Sequence, residues 1–221
     1  MSIEILYEDN HIIVVVKSVG ILSQEDSTHD PDMLTLLKNY IKNKYQKLGN
    51  VYLGLIHRLD RMTGGIMVFA KTSKSAARLN KQIQDKEFFK KYYAIVDGNI
   101  EEDGTLENYL VKDEKEVKSY IGNVHNGKLA VLDYHIVKKC EGMTLVDINL
   151  KTGRHHQIRV QFANIHHPLI GDHLYGCKRG DKMMLYAYKI SFLHPITKER
   201  LEFVKKPTGE LWNKFLNNEE I

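Results

Sequence analysis

The segment from Gly54 to Gly65 carries the residues that point most directly to chemistry. Its sequence, GLIHRLDRMTGG, leads from an apolar stretch into a loop that presents Asp60 between Arg58 and Arg61. Positive neighbours favour the ionised form of a carboxyl group. An ionised carboxylate at the end of a strand can act as a nucleophile or a general base. The same residues also fit an aspartate that arginines hold in place to fix a turn, so both interpretations stay open at this point.

Two further segments contain residue types suited to RNA. In TGRHHQIRV, residues 152–160, Arg154 and Arg159 flank two histidines at a predicted helix start. Helix N-termini with basic neighbours bind anions such as RNA phosphate. In FKKYYA, residues 89–94, Tyr92 lies beside lysines, where a tyrosine can stack on a base or move a proton. A positively charged surface turn and a half-buried strand tyrosine are the ordinary alternatives.

The bulk composition is that of a globular protein with 43% apolar and 27% charged residues and a net charge of +4. Cys140 and Cys177 are far apart and form no C-x-x-C pair, which argues against a thiol metal site and fits a reducing cytoplasm. The histidines between 155 and 173 come as adjacent pairs without i, i+4 spacing, so no metal is expected. No apolar run approaches the length of a membrane span. The common nucleotide, zinc-protease and serine-hydrolase motifs are missing as well.

The elements that must position these residues follow from hydrophobic periodicity. Strands are predicted at Ile12–Val16, Val51–Ile56, Ile66–Ala70, Phe88–Val96, Leu129–Val137, Thr144–Leu150 and Leu185–Leu193. Helices are predicted from an Asp30 N-cap with Pro31 as first residue through Leu48, from Ser73 to Asp85, after a Thr152 cap, and from Glu210. Strands outnumber helices and several are joined by short turns, which indicates an α+β fold on a largely antiparallel mixed sheet. No linker interrupts the chain, so residues 1–221 are expected to form one domain.

Taken together, these segments resemble the RluA family of pseudouridine synthases from about Ile5 to Pro207. The matching motifs are Ile5–Asn10 through Lys17 and Gly20–Leu22; His57–Asp60 with Thr63, Gly65 and Phe69–Thr72; Lys90, Tyr92, Ala94, Val96 and Gly98; and Gly153, Arg154 and His156–Val160 with His167–Pro168, Gly171–Asp172 and Tyr175–Gly176. Two positions depart from the family pattern, since Ser18 replaces a usual proline and Gly64 a common serine.

The resemblance implies a single pseudouridine synthase catalytic domain, with helices flanking the sheet and a central cleft. The implied reaction isomerises uridine in ribosomal or transfer RNA without a cofactor or metal. Asp60 corresponds to the family's nucleophile or base, Tyr92 to the tyrosine that stacks on the target base, and Arg159 to the arginine that keeps the aspartate ionised. Ile158 corresponds to an apolar residue near the base, and Arg58 to a residue that fills the gap left by a flipped nucleotide.

Substrate contacts are therefore expected from Arg58, Arg154 and Ile158, with lysines, including Lys90 and Lys91, holding phosphates. We expect the chain to act without the RNA-binding module that precedes the catalytic domain in many relatives, which favours a short stem-loop as target. A cytoplasmic monomer is expected. Two rival hypotheses are a non-catalytic RNA-binding or ribosome-assembly factor and a metal-dependent hydrolase that uses the histidine-rich stretch.

Overall fold

The computed structural model describes residues 3–216, and the chain divides into two compact units. Unit 1 comprises the residues up to Phe89 together with Ala187–Lys205, and unit 2 comprises Lys90–Tyr186 with the residues from Lys206 onward. The strands are β1 (Glu4–Glu8), β2 (Ile12–Lys17), β3 (Gly54–Leu55), β4 (Gly64–Ala70), β5 (Phe89–Asp97), β6 (Gly104–Asp113), β7 (Lys118–Ile121), β8 (Lys128–Cys140), β9 (Met143–Leu150), β10 (Leu185–Leu193) and β11 (Arg200–Val204). The helices are α1 (Met33–Lys44), α2 (Ser73–Gln84), α3 (Gln157–Asn164) and α4 (Glu210–Leu216), and a single 3-10 turn spans His173–Tyr175.

Unit 1 is built on the strand order β1-β2-β4-β10, with β3 on β4 and β11 on β10. Strands β2 and β4 pair antiparallel from Ile12 opposite Ala70 to Lys17 opposite Gly65. β-Branched residues dominate β2, and every residue of β4 is buried, which makes these two strands the centre of the unit. Their apolar side chains form one cluster with α2, in which the rings of Phe88 and Phe192 stack at 5.3 Å.

Unit 2 follows the strand order β5-β9-β8-β6-β7, and each of these neighbouring pairs is antiparallel. The β5–β9 register sets Tyr92 opposite Ile148. Helix α3 packs Val160 against Leu110 and Ala130, and Phe162 meets the ring of Tyr134 edge-on at 5.3 Å. The predicted α+β class with largely antiparallel pairing is thus confirmed.

Three predicted helix starts are wrong, each for a local reason. Helix α1 is capped by Asp32, whose side chain accepts the Thr35 N–H, and not by Asp30. Helix α2 is capped by Thr72, with Ser73 as its first helical residue. Helix α3 begins after His156, which adopts a left-handed conformation (φ 51°) without a side-chain cap.

Several predicted bounds also change. Helix α1 ends at Lys44, and Leu48 is fully exposed beyond it. Only Gly54 and Leu55 of the predicted Val51–Ile56 strand are paired. Strands β1, β6, β7 and β11 were not predicted, because their burial patterns are weak or interrupted by charged residues. The predictions for β10 and α4 are confirmed.

Candidate functional site

Asp60 lies in unit 1 on the turn between β3 and β4, half-buried. Its carbonyl accepts the Thr63 N–H at 3.0 Å, which closes the turn. The hydroxyl of Ser23 holds both backbone polar groups of Leu59, the residue before Asp60. It donates to the Leu59 carbonyl at 2.7 Å and accepts the Leu59 N–H at 3.0 Å. The turn is therefore held by the neighbouring chain segment and has little freedom to move Asp60.

The buried ammonium group of Lys17 supplies positive charge beside Asp60. Lys17 is 0% exposed, and its Nζ donates to the carbonyls of Ile21 at 2.6 Å, Ser18 at 3.1 Å and Arg61 at 3.2 Å. Burial lowers the pKa of Lys17 to about 8, while the negative charge of Asp60 acts in the opposite direction. The sequence neighbour Arg61 instead forms an ion pair with Asp30 at 2.7 Å.

Glycine is required where β4 begins. Gly65 has φ +130°, and a Cβ there would lie 2.3 Å from the carbonyl oxygen of Ala187. No side chain fits such a distance, so any substitution would push β4 away from Ala187 and displace the turn that carries Asp60.

Arg159 lies in unit 2 on α3, 8% exposed, and forms a two-pronged ion pair with Asp172. Its Nε donates to Oδ2 at 2.6 Å and its Nη2 to Oδ1 at 2.8 Å, and the Asp172 carboxylate is 1% exposed at the side chain. The guanidinium also lies over the ring of Tyr175, 5.1 Å from its centre. Asp172 thus fixes the plane and the direction of Arg159.

His156 and Tyr175 continue this network. Burial, followed by the nearby charge of Arg159, lowers the pKa of His156 to about 3, so the imidazole is neutral near pH 7. The Tyr175 hydroxyl accepts the Ser119 N–H at 2.8 Å and lies 3.0 Å from Nδ1 of His156. Because the backbone N–H can only donate, the hydroxyl can give its own proton to Nδ1. The rings of His155 and His156 stack at 3.8 Å, which is a packing arrangement and not a metal-ligand geometry.

The remaining predicted site residues are distributed over both units. Arg58 is exposed in unit 1, as a contact with RNA requires. In unit 2 Tyr92 and Ile158 are each 5% exposed, and the Nε of exposed Arg154 donates to the carbonyl of Leu129 at 2.8 Å. The structure thus groups Lys17, Ser23, Asp60 and Thr63 in unit 1, and Arg159, Asp172, Tyr175 and His156 in unit 2.

Comparison with known proteins places the chain in a family. The model of the RNA pseudouridylate synthase family matches residues 11–164. A ribosomal large subunit pseudouridine synthase D of Zymomonas mobilis is 31% identical over 217 residues, covering 92% of this chain and 68% of that protein. This chain belongs to the RNA pseudouridine synthase family.

Other relatives agree with this assignment. An RNA pseudouridine synthase of Aquifex aeolicus is 33% identical over 92% of the chain and 69% of its own length. A synthase D of Borreliella burgdorferi is 33% identical over 86% of the chain, which spans 61% of that protein. In structure, human RNA pseudouridylate synthase domain containing 4 covers 97% of the chain with a TM-score of 0.79 at 21% identity, which shows the same fold. RNA pseudouridine synthases are isomerases that act on uridine in RNA, and this chain is an enzyme of that class.

The sequence of this pseudouridine synthase did not reveal three contacts: that Ser23 holds Leu59, that the Lys17 charge lies beside Asp60, and that Asp172 pairs with Arg159. Lys17 and Asp172 stand inside matched motifs, but a motif does not say what a side chain contacts. Within residues 3–216 no three or more His, Cys, Asp or Glu residues are grouped so that they could hold a metal ion. No helix in the same range has the length and apolarity needed to cross a membrane.

Proposed function

We propose that this synthase converts specific uridines in ribosomal RNA, or in a transfer RNA stem-loop, to pseudouridine without a cofactor or metal. Asp60 acts as the nucleophile or as the base that opens the sugar, so that the bond from ribose to the uracil nitrogen breaks. The base turns and rejoins the sugar through carbon, that carbon loses one proton, and the ring nitrogen released from ribose gains one. All atoms of the substrate remain in the product.

One observation carries this proposal, namely the environment of Asp60. The Asp60 carboxylate is fixed on a half-buried turn beside the buried ammonium of Lys17, so it is oriented before substrate arrives. The rival structural role for Asp60, in which the neighbouring arginines hold the turn, is weakened because Ser23 and Lys17 hold the turn and Arg61 pairs with Asp30.

The other expected roles complete the proposal. Tyr92 stacks on the target base and takes part in removing the proton, and Ile158 packs against the base. Arg159, oriented by Asp172, keeps Asp60 ionised during the reaction. Arg58 replaces the stacking of the flipped nucleotide, and Arg154 contacts the RNA backbone. Ribosomal RNA is the first substrate to test, because several relatives are named for the large ribosomal subunit.

The proposal also covers the domain organisation, the oligomeric state and the compartment. Residues 1–221 act as one catalytic domain and as a monomer, on cytoplasmic RNA. Both cysteines are free thiols, which agrees with a reducing compartment.

The decisive experiment compares Asp60→Asn with Asp30→Asn. Ribosomal and transfer RNA from a strain that lacks the gene are incubated with each variant, and pseudouridines are mapped. Asp60→Asn is expected to abolish product while RNA binding and the thermal midpoint change little, because the amide is isosteric but cannot act as nucleophile or base. Asp30→Asn removes a partly exposed ion pair and should retain activity.

Full activity of Asp60→Asn would refute the assigned chemistry. RNA binding by the wild type without any new pseudouridine would favour the non-catalytic alternative. Loss of activity with a chelator, together with metal detected in the purified protein, would favour the hydrolase alternative.

A further inference from the structure

Tyr175 lies where the edge of the unit 2 sheet meets the segment before α3. Strand β7 is the last strand in the order of that sheet, so N–H groups on its outer edge need acceptors from other segments. The Ser119 N–H of β7 donates to the Tyr175 hydroxyl at 2.8 Å. Ser119 is 2% exposed, and its own hydroxyl lies 3.0 Å from Nδ1 of His155. Through Ser119 the edge strand is therefore tied both to Tyr175 and to the residues that lead into α3.

The proton of the Tyr175 hydroxyl serves the residue that precedes α3. Nδ1 of neutral His156 lies 3.0 Å from the hydroxyl oxygen and can accept this proton. The backbone of His156 is left-handed, with φ 51°, a conformation that costs free energy in a residue with a side chain. The Tyr175 hydroxyl thus holds the ring of the residue whose unfavourable conformation starts the helix.

The ring of Tyr175 acts on Arg159 from a second direction. Its centre lies 5.1 Å from the guanidinium carbon, whereas the Asp172 carboxylate accepts from Nε and Nη2 of the same group. Asp172 and Tyr175 belong to one short turn, which the Tyr175 N–H closes by donating to the Asp172 carbonyl at 3.2 Å. The carboxylate holds the guanidinium within its plane, and the ring over its face opposes tilting out of that plane.

We propose that Tyr175 is a positioning residue for Arg159. Its hydroxyl anchors the ring between Ser119 and His156, and the anchored ring keeps the guanidinium in the orientation that Asp172 sets. The inference deepens the proposed function and rests on it in one respect, namely that Arg159 takes part in the reaction. A tyrosine that only covered the edge of β7 would contribute to stability without affecting Arg159.

The first measurement follows Arg159 without RNA. Hydrogen exchange of the Arg159 Nε–H is recorded by nuclear magnetic resonance in the whole chain. Tyr175→Phe keeps the ring but removes the hydroxyl, so exchange should accelerate about fivefold, as the loss of one net hydrogen bond allows. Tyr175→Leu removes the ring as well, and exchange should accelerate by about tenfold or more.

The second measurement follows the reaction on ribosomal RNA from a strain that lacks the gene. Tyr175→Phe should lower kcat by about fivefold to tenfold and leave KM within about twofold, because a misdirected guanidinium slows the chemical step without removing a contact to bound RNA. Tyr175→Leu should lower kcat further. The order wild type, Tyr175→Phe, Tyr175→Leu separates the contribution of the hydroxyl from that of the ring.

Tyr120→Phe is the matched control. Tyr120 follows Ser119 on β7 and is 44% exposed, so this variant removes a tyrosine hydroxyl from the same strand. Its Arg159 exchange, kcat and thermal midpoint should equal those of the parent. Ser119→Ala removes the contact with His155 but keeps the N–H that donates to Tyr175, so it should change Arg159 exchange less than Tyr175→Phe does.

The proposal is overturned if folded Tyr175→Phe and Tyr175→Leu proteins exchange the Arg159 Nε–H at the parent rate. A lower thermal midpoint with parental kcat also overturns it, because that result assigns Tyr175 to covering the sheet edge alone. If Tyr175→Leu does not fold, Tyr175→Phe decides the outcome. Faster exchange in the variants of a protein that makes no pseudouridine would count against the proposed function and leave the orientation of Arg159 by Tyr175 standing.

Discussion

Lys17 in unit 1 and Lys90 in unit 2 differ in how their positive charges are compensated. Lys17 is fully buried and Lys90 is half-buried, and burial lowers the pKa of both. Lys17 gives its three protons to three backbone carbonyls and faces Asp60. Lys90 has neither a carbonyl nor a carboxylate as partner within residues 3–216, and its Nζ packs against Gly153, where an added Cβ would lie 3.3 Å away.

The difference separates two uses of a buried charge. A lysine whose three ammonium protons all have protein acceptors joins chain segments and sets the local electrostatic field. A partly buried lysine without a protein partner lowers stability, because its charge is removed from water without compensation. Lys71 represents a third arrangement, because its Nζ meets the Glu8 carboxylate at 2.8 Å with both side chains nearly buried.

The largest stability effect is expected for Lys17→Met. The change leaves the carbonyls of Ser18, Ile21 and Arg61 without their donor and frees the segment beside Asp60. The free energy of unfolding should fall by about 2–4 kcal/mol, measured by urea denaturation. Pseudouridine formation should fall by about tenfold to a hundredfold.

Lys42→Met, at an exposed position of α1, serves as the control and should unfold at the parent midpoint. If Lys17→Met also unfolded at the parent midpoint, the contrast between a lysine with a full set of protein acceptors and one without any would not hold.

Glu8→Gln should have the next largest effect and tests the carboxylate that serves Lys71. Burial alone would raise the pKa of Glu8, but hydrogen bonds from Lys44, Lys71, Tyr45 and Tyr40 lower it to about 2. The folded pKa lies below the unfolded value, so this stabilisation is present above pH 4.5 and is lost as pH falls towards 2. The expected difference at pH 7 is about 2–3 kcal/mol.

Thermal unfolding of Glu8→Gln and the wild type between pH 2 and 7 checks this expectation. The two curves should converge at the acid end. A difference that stays constant over the whole range would mean that the Glu8 charge contributes nothing.

The smallest effect is expected for Lys91→Met. Its ion pair with Asp147 is partly exposed, with side-chain exposures of 35% and 19%, so its loss should cost less than about 1 kcal/mol. Urea denaturation of Lys91→Met beside Lys90→Met sharpens the comparison, because the neighbouring substitutions should shift stability in opposite directions. A gain in stability for both would assign the effect to methionine in β5 instead of to the charge.

Much of the fold was predictable from local pattern. The β-branched run of β2, the apolar run of β10 and the segment around Trp212 in α4 are found where periodicity predicts them. Strands β6 and β7 were missed because exposed charged residues interrupt their alternation, and pairing with β8 supplies what their own sequence lacks. The cap of α3 was missed because a left-handed His156 has no signature in sequence.

The candidate site likewise divides into residues that the sequence identifies and contacts that only the tertiary structure determines. Sequence alone selected Asp60, Tyr92 and Arg159, because motif order and residue type are properties of the chain. Only tertiary structure revealed that Lys17 faces Asp60, that Asp172 holds Arg159, and that Lys90 and Lys91 differ. Burial and hydrogen-bond partners come from segments far apart in sequence, and these determine whether a charge stabilises or destabilises the fold.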